Sequence, residues 1–256
     1  MNRYEMIFRR KSFHLFRNLP AMDLDPETLE GIVWQWDRLR PLNPHIRTGI
    51  RIVPSEESAC RRGNTHTILF YSERKEDWLR NIGYLGMQLD LYLCEKNIGT
   101  LWYGIGKEES TFDGMTFVIM MGIRAVPSSS FRKDMFKSKR KPLAEIWQGS
   151  EIDGVSEIVR FAPSACNTQP WLVRHEDNTL TVYRYRREGK RGIIPRDRVI
   201  YYNRIDIGIF LCVLEILLAQ AGICYTRECF CDTDDEGEYV RTAVYVLKVR
   251  NDKIFR

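Results

Sequence analysis

The chain has 256 residues, of which 44% are hydrophobic and 12% aromatic, so it has the composition of an ordinary soluble globular protein with one large core or two smaller ones. Its formal net charge of +5 is mild for this length and favours small anionic ligands at least as much as nucleic acid. Seven cysteines without a Cys-x-x-Cys pair argue against a disulfide framework and predict reduced thiols in a cytoplasm.

The N-terminal segment is basic. No apolar stretch precedes Arg9, so we predict no export signal. Arg9, Arg10 and Lys11 supply cations and Ser12 supplies a hydroxyl, which are the groups that bind a phosphate. The alternative interpretation is that the three cations are the solvated start of a helix.

Two long leucine-rich helices are predicted, Arg80 to Leu93 and Arg204 to Leu217. In each of them a glycine is followed seven residues later by a lone acid, and each helix ends near a glycine, Gly99 or Gly222. Amphipathic helices often resemble one another, which is the alternative explanation. The strand-like runs that flank both helices in the same order favour an internal duplication.

The segment Trp102-Tyr103-Gly104-Ile105-Gly106 follows the first predicted helix. Its Gly-x-Gly pattern is weak evidence for a dinucleotide-binding loop, because the third glycine of a Rossmann fingerprint is absent. A glycine needed only for a turn is the alternative.

The stretch from Arg132 to Leu143 is a dense basic cluster. It lacks interleaved exposed aromatic residues and a recognisable reading motif, so we predict no nucleic-acid partner. Phosphate binding and a solvated surface run remain as interpretations.

The most informative run is Ala162 to Trp171, which reads Ala-Pro-Ser-Ala-Cys-Asn-Thr-Gln-Pro-Trp. Small side chains behind a proline-fixed turn let the backbone approach a flat ring, and Asn167 and Gln169 offer hydrogen bonds to the polar edge of that ring. Cys166 has no paired histidine motif nearby, so we predict a small buried thiol and no nucleophile.

Together with the N-terminal Arg-x-Ser element, this run resembles the FMN-dependent nitroreductase superfamily, and in particular its tandem, single-chain branch. The family's Pro-Ser-x-x-Asn-x-Gln-Pro-Trp element is matched at every specified position. The resemblance implies that Arg10 and Ser12 hold the ribityl phosphate of FMN. Arg140, with Lys139 beside it, is matched to a late Arg-x-Pro element that closes on the same phosphate. The residues expected at the phosphate are Arg9, Arg10, Lys11, Ser12, Lys139 and Arg140.

The same resemblance implies a second set of contacts, at the flavin ring. Gly104 is matched to a position that brings a backbone N–H toward flavin N5. His14 stands where the family usually has Arg or Lys, and a histidine stabilises an anionic reduced flavin only when protonated; a structural histidine is the alternative. The residues expected at the ring are His14, Gly104, Pro163, Ser164, Ala165, Asn167 and Gln169.

The fold that the resemblance implies is α+β, a nitroreductase-like mixed sheet with flanking helices. We expect a single unit of residues 1–256 in which two related halves, 1–150 and 151–256, form an internal pseudo-dimer. One half carries the Arg-x-Ser element and the other carries the Asn-x-Gln-Pro-Trp loop, so we expect about one FMN per chain and a monomer.

The activity that the resemblance implies is electron transfer from NAD(P)H through FMN to a nitroaromatic, a quinone or a similar small, flat aromatic acceptor by ping-pong turnover. Flavin N5 carries the chemistry, so no catalytic side chain is assigned. Two alternatives stay open: a flavin-fragmenting or dehalogenating relative, with Arg186 to Tyr202 as a lid, and a non-catalytic FMN-binding protein. We expect no metal, because the histidines form no metal spacing with the cysteines. We expect no membrane contact, because the longest apolar run is interrupted by Glu215 and Gln220.

Overall fold

The computed structural model describes residues 3–16, 19–20, 22–108, 110–185 and 192–248, which contain both helices and strands. The chain divides between Lys137 and Ser138 into two units. Each unit has its own sheet, so the described residues form two sheets where the sequence predicted one mixed sheet. The α+β class is as predicted.

The first unit consists of a four-stranded antiparallel sheet and three helices, with strand order β1-β2-β4-β3. Strand β2 is buried along nearly its whole length, as a central strand packed on both faces should be. The elements are α1 (Arg3–Arg9), α2 (Pro26–Trp36), β1 (Thr48–Pro54), β2 (His66–Ser72), α3 (Trp78–Glu95), β3 (Ile98–Tyr103) and β4 (Thr116–Ala125).

The second unit consists of a five-stranded sheet and two helices, with strand order β5-β6-β7-β9-β8. Strand β5 runs parallel to β6, and the other neighbours are antiparallel. The elements are β5 (Trp147–Gly149), α4 (Ser156–Val159), β6 (Trp171–Glu176), β7 (Thr179–Tyr185), α5 (Val199–Gln220), β8 (Cys224–Cys229) and β9 (Tyr239–Lys248).

Both long helices that the sequence predicted are present, as α3 and α5. Helix α5 is apolar around its whole circumference and most of its side chains are buried, which is what such a helix requires. It ends as predicted, with Gly222 in the left-handed region at a φ of 72°. Helix α3 ends differently: Asn97 takes the left-handed position, with a φ of 59°, and Gly99 lies in β3. Gly99 is small because a Cβ there would lie 2.9 Å from the Phe13 ring.

The two units share one topology. In each, a hairpin is followed by a long helix and a second hairpin, and β6-β7-β9-β8 repeats the order β1-β2-β4-β3. The second strand of each repeated four-strand set also carries a register shift, between Phe70 and Tyr71 in β2 and between Val182 and Tyr183 in β7. The duplicated order of elements therefore extends from the sequence to the strand pairing.

The boundary between the units lies earlier than the predicted halves 1–150 and 151–256. The residues from Ser138 onward belong to the second unit because β5 pairs with β6, with Trp147 opposite Val173. The Val173 N–H also donates to the Ile146 carbonyl at 2.8 Å, which fixes the start of that pairing.

None of the helices within the described ranges is long and apolar enough to cross a membrane.

Candidate functional site

The Pro163–Trp171 loop of the second unit has an unusual backbone. Cys166, Asn167 and Gln169 all have positive φ values, of 47°, 56° and 50°. A residue with a side chain rarely adopts this left-handed conformation, and each such residue costs on the order of 1–3 kcal/mol unless its surroundings enforce it. The loop therefore needs strong contacts to keep its shape.

Two side-chain acceptors hold the loop from within the second unit. Ser164 Oγ accepts the Gln169 N–H at 2.9 Å, which closes the loop on itself. Asp206 Oδ1, on the first half of α5, accepts the Ala165 N–H at 2.9 Å. At the end of the loop the buried Trp171 ring stacks on Phe210 of the same helix, with ring centroids 4.9 Å apart.

Lys141 fastens the second half of the loop. Its Nζ donates to the Thr168 carbonyl at 2.7 Å and to the Gln169 carbonyl at 3.0 Å, and its backbone N–H donates to Gln169 Oε1 at 2.9 Å. Both the lysine and Gln169 are buried. These hydrogen bonds satisfy both the buried ammonium group and the carbonyl groups of the loop. Lys141 therefore stabilises the conformation of the loop.

The predicted phosphate residues Lys139 and Arg140 also lie beside this loop. Arg140 Nη1 donates to Asn167 Oδ1 at 2.8 Å, and Asn167 Nδ2 donates to the Lys139 carbonyl at 3.1 Å. Arg140 Nη2 donates to the Phe161 carbonyl at 3.2 Å. The structure thus places both residues beside the Pro163–Trp171 loop, with the Arg140 guanidinium hydrogen-bonded to Asn167.

The residues predicted to touch the ring differ in their accessibility. Pro163, Ser164 and Ala165 are half-buried and Asn167 is exposed. The Gln169 side chain is buried and already bonded, with its Nε2 donating to the Asn167 carbonyl at 3.2 Å. The prediction of a buried thiol at Cys166 is wrong, because the left-handed turn points this residue outward and the thiol is exposed.

Asp206 is a buried acid in an apolar helix. Burial, the largest cause, raises the pKa of its carboxyl to about 8, against the opposing effects of the Ala165 N–H and the Thr168 hydroxyl. Sequence analysis missed this residue. An acid in an apolar helical run is a signal that could have found it, because an acid buried there must be paired or protonated.

The N-terminal element of the first unit is organised around Asp90 of α3. Arg10 Nε donates to Asp90 Oδ2 at 2.6 Å, Trp102 Nε1 donates to the same oxygen at 2.9 Å, and Thr100 Oγ1 donates to Oδ1 at 2.6 Å. These contacts fix the direction of the Arg10 guanidinium and of the Trp102 ring, two residues before Gly104. Gly104 itself is half-buried just beyond β3.

The other predicted phosphate and ring residues of this element have varied surroundings. Arg9 donates to the Cys94 carbonyl, to Asn97 Oδ1 and to Ser128 Oγ, and its guanidinium lies over the Phe131 ring. Lys11 Nζ donates to the Ser130 carbonyl at 3.1 Å. Ser12 is half-buried in a bridge to Thr100, and His14 is exposed.

A second guanidinium, that of Arg132, lies near Arg10. Arg132 is half-buried, and burial, followed by the positive charge of Arg10, lowers its pKa. Its backbone N–H donates to the Arg9 carbonyl at 3.0 Å, which ties its segment to the N-terminal element. Asp90 is the carboxylate that pairs with Arg10, and Arg132 makes no ion pair with any described residue. Two neighbouring guanidinium groups, of which Arg10 alone is paired with a carboxylate, fit a bound anion such as a phosphate.

The sequence pointed to the basic cluster that contains Arg132 and named Lys139 and Arg140 as its phosphate residues. No group of three or more potential metal ligands occurs among the described residues. Residues 186–191, the first part of the predicted lid, lie outside the described residues; the rest continues through a turn at Arg196–Arg198 into α5.

Comparisons with known proteins give one family and two similar solved structures. Residues 2–218 match the model of the family described as "Putative TM nitroreductase". A solved structure described as a "putative nitroreductase" from Thermotoga maritima is 18% identical, with a TM-score of 0.58, and the match covers 96% of this chain and 94% of that chain. A nitroreductase family protein from Clostridium difficile is 13% identical, with a TM-score of 0.44, over 59% of this chain and 100% of that chain. No curated protein matches the chain. The Thermotoga structure shows that the α+β fold is shared.

Proposed function

The chain belongs to the "Putative TM nitroreductase" family, and from this premise we propose that it is an FMN-dependent oxidoreductase that passes electrons from NAD(P)H to a flat conjugated acceptor. A bound flavin would supply hydride acceptance and its return to a second substrate. What the chain must supply is binding, orientation and electrostatics. Nitroaromatics and quinones are the acceptor classes that we propose.

The observation that carries the proposal is the pair formed by Arg10 and Arg132. Asp90 orients Arg10 and balances one positive charge, which leaves a net positive charge on the pair. A dianionic phosphate monoester is the ligand that such a group favours, because guanidinium donors bind phosphate oxygens in pairs. We propose that Arg10, Ser12 and Arg132 hold the FMN phosphate, with Lys11 adding positive charge at the surface.

Arg9 is left out of this proposed set, because its guanidinium donors are already bonded within the first unit.

For the ring we propose the accessible part of the Pro163–Trp171 loop, with Asn167 and Arg140 at the polar edge. Small side chains at Pro163, Ser164 and Ala165 permit close approach of a flat ring. Gln169 stabilises the shape of the loop, since its side chain is buried and accepts a hydrogen bond from the Lys141 N–H. Gly104 and His14 stay proposed ring contacts, and the His14 side chain is exposed.

We further propose that the two units are the halves of an internal pseudo-dimer that binds about one FMN per chain and acts as a monomer. Their shared strand order supports a duplication. We also propose a cytoplasmic location, which the seven free cysteines support.

The experiment that tests the activity is anaerobic mixing of FMN-loaded protein with NADH or NADPH, followed by initial rates with a quinone or a nitroaromatic. We expect loss of the visible flavin absorbance with at least one donor and parallel double-reciprocal lines, because donor and acceptor use the same pocket in turn. An unreduced bound flavin would contradict the oxidoreductase proposal, and intersecting lines would contradict ping-pong turnover.

A further inference from the structure

Asp206 stands out among the buried acids because it is the one that touches the Pro163–Trp171 loop. One carboxyl oxygen, Oδ1, accepts the Ala165 N–H at 2.9 Å. The other, Oδ2, is buried and makes no hydrogen bond of good geometry with any described residue. The Thr168 hydroxyl, whose Oγ1 is also buried without such a bond, is the side chain that interacts with the carboxyl. Asp206 therefore faces the loop residues on either side of Cys166 and Asn167.

Among the described residues, no positively charged side chain pairs with this carboxyl. Lys141 binds the carbonyls of Thr168 and Gln169 on the loop. On the elements packed against α5, Arg184 of β7 pairs with Asp232, Arg160 after α4 pairs with Glu157, and Arg198 lies by the Tyr201 ring. On α5 itself, Arg204 pairs with Asp232 and Asp235, while Tyr202 is a buried phenol. None of these groups shifts the pKa of Asp206.

We propose that Asp206 is a positioning residue that works as a neutral carboxylic acid. Its Oδ1 accepts the Ala165 N–H, its protonated Oδ2 donates to Thr168 Oγ1, and closure of the loop therefore takes up one proton. The proposal rests on the proposed function in one respect only, which is that the ligand bound by the closed loop is the flavin.

The coupling has a definite sign. In the closed loop the pKa of Asp206 is about 8, and in an open, hydrated loop it returns to the ordinary value near 3.8. Between these two values the closed form holds a proton that the open form has lost. Each pH unit from 5 to 8 therefore raises the opening equilibrium about tenfold, and above pH 8 the equilibrium levels off.

The test is hydrogen exchange of the apo protein from pH 5 to pH 9, followed by mass spectrometry of a peptide that covers the Pro163–Trp171 loop. After correction for the intrinsic rate, we expect loop protection in the wild type to fall about tenfold per pH unit up to pH 8. Asp206→Asn reproduces the shape and hydrogen bonds of the neutral acid, so we expect it to stay protected with no such slope. A peptide from β9 should show the same protection in both proteins.

Ser164→Ala is the matched control, because it removes another loop hydrogen bond without a titrating group. We expect it to lower protection roughly fivefold at every pH and to keep the wild-type slope. A wild type without a slope, or an Asp206→Asn variant with the wild-type slope, would overturn the proposal. If Asp206→Asn does not fold, the carboxyl ¹³C shifts of the wild type decide: a midpoint near pH 8 supports the proposal, and titration of every aspartate below pH 5 overturns it.

FMN binding by the same proteins separates this inference from the proposed function. We expect FMN affinity to fall with rising pH in the wild type more than in Asp206→Asn. If neither protein binds FMN at any pH, the proposed function fails, while the exchange slopes of the apo proteins still decide the role of Asp206.

Discussion

Arg10 Nε donates to Asp90 Oδ2 at 2.6 Å, with the arginine 5% exposed and the aspartate fully buried. The same carboxylate accepts from Thr100 on β3 and from the Trp102 indole, so it satisfies three donors from three positions in the chain. Helix α5 repeats the arrangement: Glu215 accepts from Arg227 of β8 and from the Tyr245 hydroxyl of β9. In both units an acid on the long helix thus fixes an arginine and an aromatic side chain.

Replacing Asp90 by Asn should destabilise the protein strongly. Arg10 would keep its burial but lose its counter-ion, and breaking a buried pair in this way costs about 3–5 kcal/mol. The free energy of unfolding in urea measures the loss. Glu157→Gln, which breaks the partly exposed pair with Arg160, is the control and should cost less than about 1 kcal/mol. Similar losses of unfolding free energy in the two variants would show that the Arg10–Asp90 pair does not contribute this stability.

Replacing Arg132 by Ala should weaken the binding of FMN and leave riboflavin binding unchanged. A lost charge-assisted contact of about 1.5–3 kcal/mol corresponds to roughly 10- to 150-fold in Kd. Riboflavin lacks the phosphate, so the comparison isolates the anion. Quenching of flavin fluorescence gives both constants.

The control for Arg132 is its exposed neighbour Lys133. Lys133→Ala should change FMN affinity less than about twofold, since an exposed charge is screened by water and salt. Equal losses for FMN and riboflavin in Arg132→Ala would remove this residue from the phosphate site.

Replacing Lys141 by Met should loosen the Pro163–Trp171 loop. The carbonyls of Thr168 and Gln169 would lose their donor inside the protein, at a cost of about 1–3 kcal/mol each at most. We expect weaker binding of FMN and riboflavin to the same degree, in contrast to Arg132→Ala. Lys137→Met, at an exposed position in the same basic cluster, should bind both ligands like the wild type. Normal riboflavin affinity in Lys141→Met would show that the hydrogen bonds of Lys141 are not needed for binding of the flavin ring.

Two helical glycines should respond to alanine with opposite signs. At Gly86 of α3 a Cβ would lie 2.5 Å from the Trp102 ring, so Gly86→Ala should destabilise by about 1–3 kcal/mol. At Gly31 of α2 a Cβ meets nothing within 4 Å, so Gly31→Ala should stabilise by about 0.5–1 kcal/mol. Thermal unfolding of the two variants measures both effects. A neutral Gly86→Ala would mean that the Trp102 ring is free to move.

Local patterns predicted part of this molecule well. The apolar periodicity of α3 and α5 and the fixed spacing of Pro163, Asn167 and Trp171 depend on neighbouring residues only, so the sequence carries them directly. The duplication was visible for the same reason, because it repeats whole elements in order. The hydrogen bond between Thr100 and Asp90 is likewise between neighbouring elements, because it joins helix α3 to the strand that follows it.

Contacts between distant segments were harder to predict. Which arginine of the basic cluster comes near Arg10 depends on the backbone path, which the Arg132 N–H bond to the Arg9 carbonyl fixes. The unit boundary depends on a parallel pairing between β5 and β6 that no local signal marks. The roles of Lys141 and Asp206 became visible only once the left-handed backbone of the loop had shown how many contacts it needs.

The most direct test of the central claim is the visible spectrum of the purified protein after incubation with FMN and desalting. The account predicts retained flavin at about one equivalent per chain, which anaerobic NADH or NADPH bleaches. A chain that retains no flavin would contradict it. Two equivalents per chain would contradict the pseudo-dimer with one site.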